Sequence, residues 1–369
     1  MKKLSLGIVG AGVMGKMAGL FALRKGHKVS YFDNNPLSLE AYEGSKMPCS
    51  LVAAGMLSPF CELEKADLII SRLGSDSLVL WDEIFKYLGE SFYFQRKGGL
   101  VVSHHGDKNE VLILKRKLKK YHLDHVYEEV SKTRLNSLEL DLSPNFGEAL
   151  YFPNEGQVDP FSFHRAFEKK VIPQCEESFF NTEVLSVLPH QVKTQKGKYS
   201  FDFVIDCRGL EAKSDLQSLR GVRGEVIKVQ APGVHISRPV RLMHPRYQLY
   251  VVPRPQNCYL IGATTIESED FSPVSLRSAL ELLSACYSLN SSFSEARILE
   301  MNVQCRPAFN CNNPKIVFKK EGGLVRVNGL YRHGYLISPR LAELLVDKLT
   351  YSTKGKTSPF FECCFSEVL

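Results

Sequence analysis

Three glycines near the start of the chain, Gly10, Gly12 and Gly15, stand at the spacing Gly-x-Gly-x-x-Gly. Such a pattern does its chemistry with backbone alone. The first glycine permits a tight turn, the second lets a pyrophosphate reach the main chain, and the third lets a helix pack close to a strand. The free N–H groups and the positive dipole end of that helix then attract phosphate. Asp33 stands where an acidic side chain accepts hydrogen bonds from an adenosine ribose. A bare strand-to-helix turn would use the same glycines, and the loop alone does not separate NAD from FAD. His333 and His244 have the right type for proton transfer near neutral pH. Lone loop histidines are more often structural, so neither joins the candidate catalytic set. The ten cysteines, Cys363 and Cys364 among them, form no Cys-x-x-Cys pair. No metal site or disulfide framework is expected, and a reducing compartment suits them.

The elements around the loop supply the context that the pattern needs. Residues 4–9 are short and apolar, 14–25 carry apolar residues at helical spacing up to Gly26, and 29–32 read as a second strand ending at Asp33. Helices are expected over 77–88, 109–121, 161–170 and 275–289, the last with Leu276, Leu280, Leu283 and Cys286 on one face. Strands are expected at 92–95 and 100–103, joined as a hairpin through Lys97-Gly98-Gly99, and at 148–152. Two more, 183–188 and 199–206, flank a polar turn at Lys196-Gly197, and 225–230, 248–252, 259–263 and 325–328 complete the set. Ser338-Pro339 is expected to open a final helix to about residue 349.

The 369 residues are enough for two domains, and no linker separates two in series. The expected fold is mixed α/β. A Rossmann-type dinucleotide domain (1–84, 151–217 and 307–369) is interleaved with a smaller antiparallel-sheet substrate domain (85–150 and 218–306). Net charge is +7, part of it in Lys115, Arg116, Lys117, Lys119 and Lys120. Basic patches attract nucleic acid, but a single run reads better as a solvated helix face with Val111, Leu112, Leu114 and Leu118 turned inward. No apolar run reaches membrane-spanning length and no signal-peptide cleavage site follows the first lysines, so a cytoplasmic protein with no membrane partner is expected.

Several segments resemble one family. Cys49-Ser-Leu-Val-Ala-Ala-Gly-Met-Leu57 resembles the Ala-Ala-Gly-Met segment of the D-amino-acid-oxidase superfamily of FAD-dependent oxidoreductases. Gly221-Val-Arg-Gly-Glu225, Tyr250-Val-Val-Pro-Arg254, Gly262-Ala-Thr264, Cys305-Arg306-Pro307, Gly329-Leu-Tyr-Arg-His-Gly334 and Asn154-Glu-Gly-Gln-Val-Asp-Pro160 look like the glycine oxidases of the thiamine pathway. The resemblance runs from about residue 4 to about residue 350.

That resemblance implies FAD, bound noncovalently, although sarcosine oxidases make a thioether and Cys305 neighbours Arg306. It places cofactor contacts at Gly10, Gly12, Val13, Met14, Gly15, Asp33, Asn34, Cys49, Ser50, Ala54, Gly55, Met56 and Val184. Leu330, Tyr331, Arg332, His333, Gly334, Tyr335 and Leu336 match the segment that wraps the isoalloxazine. Arg306 and Tyr250 match residues that bind the substrate carboxylate, and Arg332 matches a second arginine at the substrate. The implied reaction is oxidative deamination of glycine or a similar small amine, with hydride passing from Cα to flavin N5. Oxygen then reoxidises the flavin to give hydrogen peroxide, and the imine becomes glyoxylate and ammonia unless a thiazole-forming enzyme takes it. A homo-oligomer is compatible with the family. Thr265 departs from a methionine lining the site in the relatives, and Val52 from a small residue. A sarcosine or D-amino-acid oxidase and a tRNA-modifying FAD oxidoreductase share the architecture. From another class, a nicotinamide dehydrogenase or a noncatalytic dinucleotide-binding protein would use the same glycine loop.

Overall fold

A computed structural model describes residues 2–42, 47–89, 92–142, 146–246, 248–351 and 365–368; Cys363 and Cys364 lie outside them. Strand β1 (Ser5–Val9), helix α1 (Val13–Arg24) and strand β2 (Lys28–Phe32) form the opening βαβ unit. β1 and β2 are parallel, in register from Ser5↔Lys28 to Val9↔Phe32. On its other side β1 pairs in parallel with Phe203–Asp206, so a segment some two hundred residues later lies beside it. Leu6, Ile8 and Val9 are buried, as a strand covered on both faces requires. The whole sheet has seven strands, with Phe365–Val368, Lys315–Lys319, Leu324–Asn328, Phe203–Asp206, β1, β2 and Glu177–Phe179 in that order.

A second, eight-stranded sheet is almost wholly antiparallel. Its order is Arg297–Ala308, Arg220–Gln230, Cys258–Gly262, Gln248–Arg254, Val240–Met243, Gly99–Ser103, Glu148–Phe152 and Glu128–Ser131. The helix Leu276–Leu289 covers one face through Leu282, Ala285, Cys286 and Leu289. The expected stripe was Leu276, Leu280, Leu283 and Cys286, yet Leu276 and Leu280 face solvent. Both stripes are apolar at helical spacing, and the sheet took the neighbouring one.

Five other expectations need correction. Phe94–Gln95 and Gly99–Ser103 do not form a hairpin. The first pairs with Gly156–Val158 in a small three-stranded sheet, and the second lies between Val240–Met243 and Glu148–Phe152. Gly98, at φ +80°, redirects the chain from one sheet to the other. The expected strand 199–206 is two: Gly197–Ser200 closes a meander with Val184–Leu188 and Gln191–Thr194, and Phe203–Asp206 enters the parallel sheet. The helix expected over 77–88 runs from Leu68 to Leu88. Its first half is masked by Gly74, where a Cβ would stand 2.8 Å from Leu336; the glycine allows the final helix to approach.

That final helix, Gly334–Tyr351, starts before Ser338-Pro339 rather than at it. Pro339 has no N–H to offer the carbonyl one turn earlier, that of Tyr335. The indole Nε1 of Trp81 donates to that carbonyl instead, at 2.9 Å. The basic helix Lys108–Lys120 buries Leu114 and Leu118, while Leu112 is 41% exposed rather than turned inward. Lys108 and Lys115 pair with Glu148 and Glu129, and Lys117 donates to the carbonyls of Glu64 and Ala66. Among the described residues no helix is long and apolar enough to cross a membrane.

Glu155, at the turn into the small sheet, is buried. Its Oε1 accepts from the N–H groups of Phe60 and Cys61 at 3.0 and 2.9 Å, and its Oε2 finds no hydrogen-bond partner among the described residues. Burial pushes its pKa up to about 7 against the pull of those N–H groups. The folded chain therefore holds a proton that the unfolded chain loses near pH 4.5, and this stability fades as pH rises through 7. Buried histidines such as His333, whose pKa burial lowers to about 4, titrate in the opposite sense. The readout is therefore the difference between Glu155→Gln and the parent chain in urea unfolding. That difference is expected to move in favour of the glutamine by about 3 kcal/mol between pH 4 and pH 8. A pH-independent difference would show that Glu155 folds ionised.

Candidate functional site

A cavity of about 630 Å³ opens at the carboxyl ends of β1, β2, Phe203–Asp206 and Leu324–Asn328, and the eight-stranded sheet closes its other side. Ligands of open parallel sheets sit at such strand ends. Every cofactor and substrate residue expected from the sequence lines this cavity except Gly15.

Gly15 acts from behind the wall. A Cβ on it would lie 1.9 Å from the carbonyl oxygen of Gly10, so only glycine lets α1 come this close to β1. Gly10 turns the chain at φ +94°. Gly12 faces open space, with Ser50 Oγ at 3.8 Å the nearest atom to a Cβ there. No side chain caps α1. The two peptide groups that flank Ala11 are each held: the Ala11 N–H donates to Asp33 Oδ2 at 2.5 Å, and the Ala11 carbonyl accepts from the buried Lys16 Nζ at 2.6 Å. Asp33 Oδ1 also accepts from the Asn35 backbone and side chain. Asn34 reaches Glu211 at 2.8 Å, and Val184 forms part of the wall beyond.

The turn Cys49–Val52 brings Ser50 and Val52 to the cavity. The Tyr335 hydroxyl donates to the Ser50 carbonyl at 2.9 Å, while Ser50 Oγ itself is buried without a partner among the described residues. Burial pushes the Cys49 thiol up to about 11. Gly55, at φ +64°, accepts at its carbonyl from the Val158 N–H at 2.9 Å and leaves no room for a side chain. Arg254, not anticipated from the sequence, donates to the Ala54 carbonyl and pairs with Asp159 at 3.2 Å. The opposite wall comes from Leu330 to Leu336, where a short turn through Tyr331 leads into the N-terminus of the final helix.

Arg306 and Tyr250 project from the eight-stranded sheet. Arg306 lies over Gly224, where a Cβ would stand 2.3 Å from its guanidinium, and its Nη1 donates to the Thr264 carbonyl at 3.1 Å. Among the described residues no acid forms an ion pair with it. Burial pushes the Tyr250 phenol up, with Arg306 and Arg332 pulling against it, so Tyr250 remains a donor. Arg332 pairs with Glu62 at 2.6 Å, and Glu62 also lies 3.7 Å from His333 Nδ1. Burial works against charge on Glu62, but Arg332 and Arg241 hold its carboxyl down at about 2. Burial lowers His333 to about 4, so its imidazole is neutral at pH 7. Glu62 escaped the sequence reading because no spacing ties it to Arg332, 270 residues away.

Thr265 is exposed and off the cavity wall. The wall position expected for it is not filled by its side chain, so it does not set the pocket's polarity. His244 is also off the wall, while Val52 is on it. The Cys305 thiol donates to the carbonyls of Ser268 and Asp270, and burial raises its pKa.

The sequence profile of the family described as DAO, FAD dependent oxidoreductase, matches residues 5–348. A Rhizobium etli protein provisionally named thiamine biosynthesis oxidoreductase ThiO is 36% identical over 290 residues, covering 79% of this chain and 81% of that protein. Among solved structures, glycine oxidase from Geobacillus kaustophilus superposes with a TM-score of 0.80 at 24% identity, over 98% of each chain. L-Proline dehydrogenase from P. horikoshii also reaches 0.80, at 19% identity, over 98% of this chain and 96% of that one. The structural likenesses establish a shared fold across different substrates.

The two inner glycines make a paired test. Gly12→Ala meets no protein atom closer than Ser50 Oγ at 3.8 Å, so the apo chain should unfold within about 1 kcal/mol of the parent, while FAD affinity drops at least tenfold as the methyl takes the space at the loop. Gly15→Ala drives a methyl into the Gly10 carbonyl and should cost about 1–3 kcal/mol of stability. Urea unfolding and flavin fluorescence titration check both. Equal stability losses in the two variants would refute this division.

Proposed function

Because this chain belongs to the family of FAD-dependent oxidoreductases, we propose that it oxidises the Cα–N bond of a small amino acid, with glycine the leading candidate. The observation that carries this reading is the pairing state of the cavity's guanidiniums. Arg332 already holds an acid, Glu62, whereas among the described residues Arg306 spends one N–H on a carbonyl and none on a carboxylate. A guanidinium so placed can grip a substrate carboxylate through a planar two-point fork. Tyr250 adds a hydroxyl donor beside it.

The residues present fit FAD. The uncapped end of α1, the open face of Gly12 and the unsatisfied Ser50 Oγ form a cradle with hydrogen-bonding capacity to spare. Gly10 to Met14, Asp33, Asn34 and Val184 would hold the adenosine and pyrophosphate, and Cys49 to Met56 with Leu330 to Leu336 would hold the ring system. When bound, FAD supplies the two-electron acceptor for the substrate Cα. The chain's own part is placement. Arg306 and Tyr250 fix the carboxylate, which fixes Cα relative to the ring, and such positioning is worth several kcal/mol of barrier. The N-terminus of the final helix favours negative charge at the adjacent wall. His333 stays neutral, leaving Glu62 and the two arginines as the charged groups around the substrate.

The parallel sheet carries the cofactor residues and the antiparallel sheet carries Arg306 and Tyr250, which supports the interleaved division into 1–84, 151–217 and 307–369 against 85–150 and 218–306. The name of the R. etli relative supports a role in thiamine biosynthesis, which we take to be the making of its thiazole. There oxygen would be the acceptor and a thiazole-forming enzyme would consume the imine, in the cytoplasm.

Replacing Arg306 by Ala should lower kcat/KM for glycine at least ~100-fold, roughly 3 kcal/mol for a lost charge-assisted grip, measured by peroxide release with the flavin spectrum retained. A change within twofold would remove Arg306 from the site. Noncovalent attachment predicts that acid precipitation leaves all FAD in the supernatant; yellow pelleted protein would contradict it.

A further inference from the structure

We propose that Glu62 determines substrate class: as a built-in carboxylate on Arg332, it restricts the cavity to amines with one carboxylate and excludes small dicarboxylic amines. This rests on the amine-oxidation reading above and deepens it.

The argument starts from charge. Of the three guanidiniums on the cavity wall, Arg208 is paired with Asp206 and Asp215, while Arg306 and Arg332 stand around Tyr250 together with the carboxylate of Glu62. Glu62 and Arg332 meet at 2.6 Å, each side chain only 13% exposed. Both line the cavity, so the pair is presented to whatever enters rather than sealed in the core. Behind it, Arg241 and Glu64 form a second buried pair, with Arg241 Nη1 3.0 Å from Glu64 Oε2, so the acids of this cluster are matched by its guanidiniums. A substrate with one carboxylate places it on Arg306 and meets no like charge. A second carboxylate would arrive at an arginine already neutralised and at the anion that neutralises it. Like charges in so buried a place repel strongly. Without Glu62, the Arg332 guanidinium would lose the carboxylate it meets at 2.6 Å, and a second substrate carboxylate could take that place.

Two N-substituted glycines of similar size separate the charge effect from shape. N-Ethylglycine ends in a methyl group, and iminodiacetate ends in a carboxylate. The FAD-loaded full-length protein, its Glu62→Gln and Glu62→Ala variants and the double variant Glu62→Gln/Arg332→Gln would be compared. The readouts are the ratio of kcat/KM for iminodiacetate to that for N-ethylglycine, from peroxide release, and the anaerobic Kd of iminodiacetate, from its perturbation of the flavin spectrum. The parent should favour N-ethylglycine at least fivefold. Both single variants should move the ratio at least fivefold toward iminodiacetate and tighten its Kd by at least as much, and the double variant should lose the gain. If the alanine variant does not retain FAD, the near-isosteric glutamine variant decides. A parent that takes both amines equally, a shift below fivefold, or a gain that survives loss of Arg332 would each overturn the proposal. If the parent oxidises no amine of the pair and none of glycine, the oxidation reading fails instead, and the iminodiacetate Kd series still decides whether Glu62 excludes a second carboxylate.

Discussion

The contact between the Gly10 carbonyl and the bare Cα of Gly15 sets the distance between β1 and α1, and the rest of the site inherits that spacing. Once the helix lies this close, its unbonded N–H groups point at the strand ends. The two peptide groups on either side of Ala11 are then each fixed, one by Asp33 at the Ala11 N–H and the next by Lys16 at the Ala11 carbonyl. Lys16 is costly to bury, and burial lowers its pKa to about 8. Its return is a loop whose peptide planes cannot rotate, held by strong charge-assisted bonds. The floor of the cavity is therefore rigid main chain, and its chemistry resides in the walls.

The buried arginines in and behind those walls follow one electrostatic rule. Arg254 meets Asp159, Arg241 meets Glu64, and Arg332 meets Glu62, all in buried or nearly buried pairs. Such pairs return little net stability but break at high cost when one member is lost. They fix geometry: Arg254 pins the Ala54 carbonyl, and Arg332 is kept against Glu62 rather than free to swing across the cavity. Arg306 departs from the pattern, bonded to a backbone carbonyl and stacked over Gly224. Its strand neighbour lacks a side chain so that the guanidinium can lie flat on the sheet.

Much of this was legible in the sequence because backbone requirements leave local marks. Gly10, Gly12, Gly15 and Asp33 lie within one βαβ unit, and their spacing carries its meaning without help from the rest of the chain. Arg306, Tyr250 and the 330–336 segment could be assigned only through family resemblance, since an arginine in a strand announces nothing by itself. Glu62 and Arg254 were missed because their partners are distant in sequence and no periodicity links them. The failed hairpin at 92–103 has a similar cause: turn signals at Lys97-Gly98-Gly99 are local, while the choice between two sheets depends on strands 50 to 150 residues further on. The final helix was placed late because Pro339 usually marks a beginning. Here the indole of Trp81 satisfies the carbonyl that proline leaves open.

Trp81 is the single tryptophan of the chain. It is wholly buried, and its ring stacks on Tyr335 at 6.2 Å between centroids. Tyr335 in turn lines the cavity. The emission of an indole overlaps the near-ultraviolet absorption of an oxidised flavin, so a donor one ring away from the cavity wall would pass its excitation to a cofactor seated there. The hydrogen bond that lets a proline sit inside the last helix thereby also places the protein's one intrinsic fluorophore where it reports cofactor loading, with no label attached.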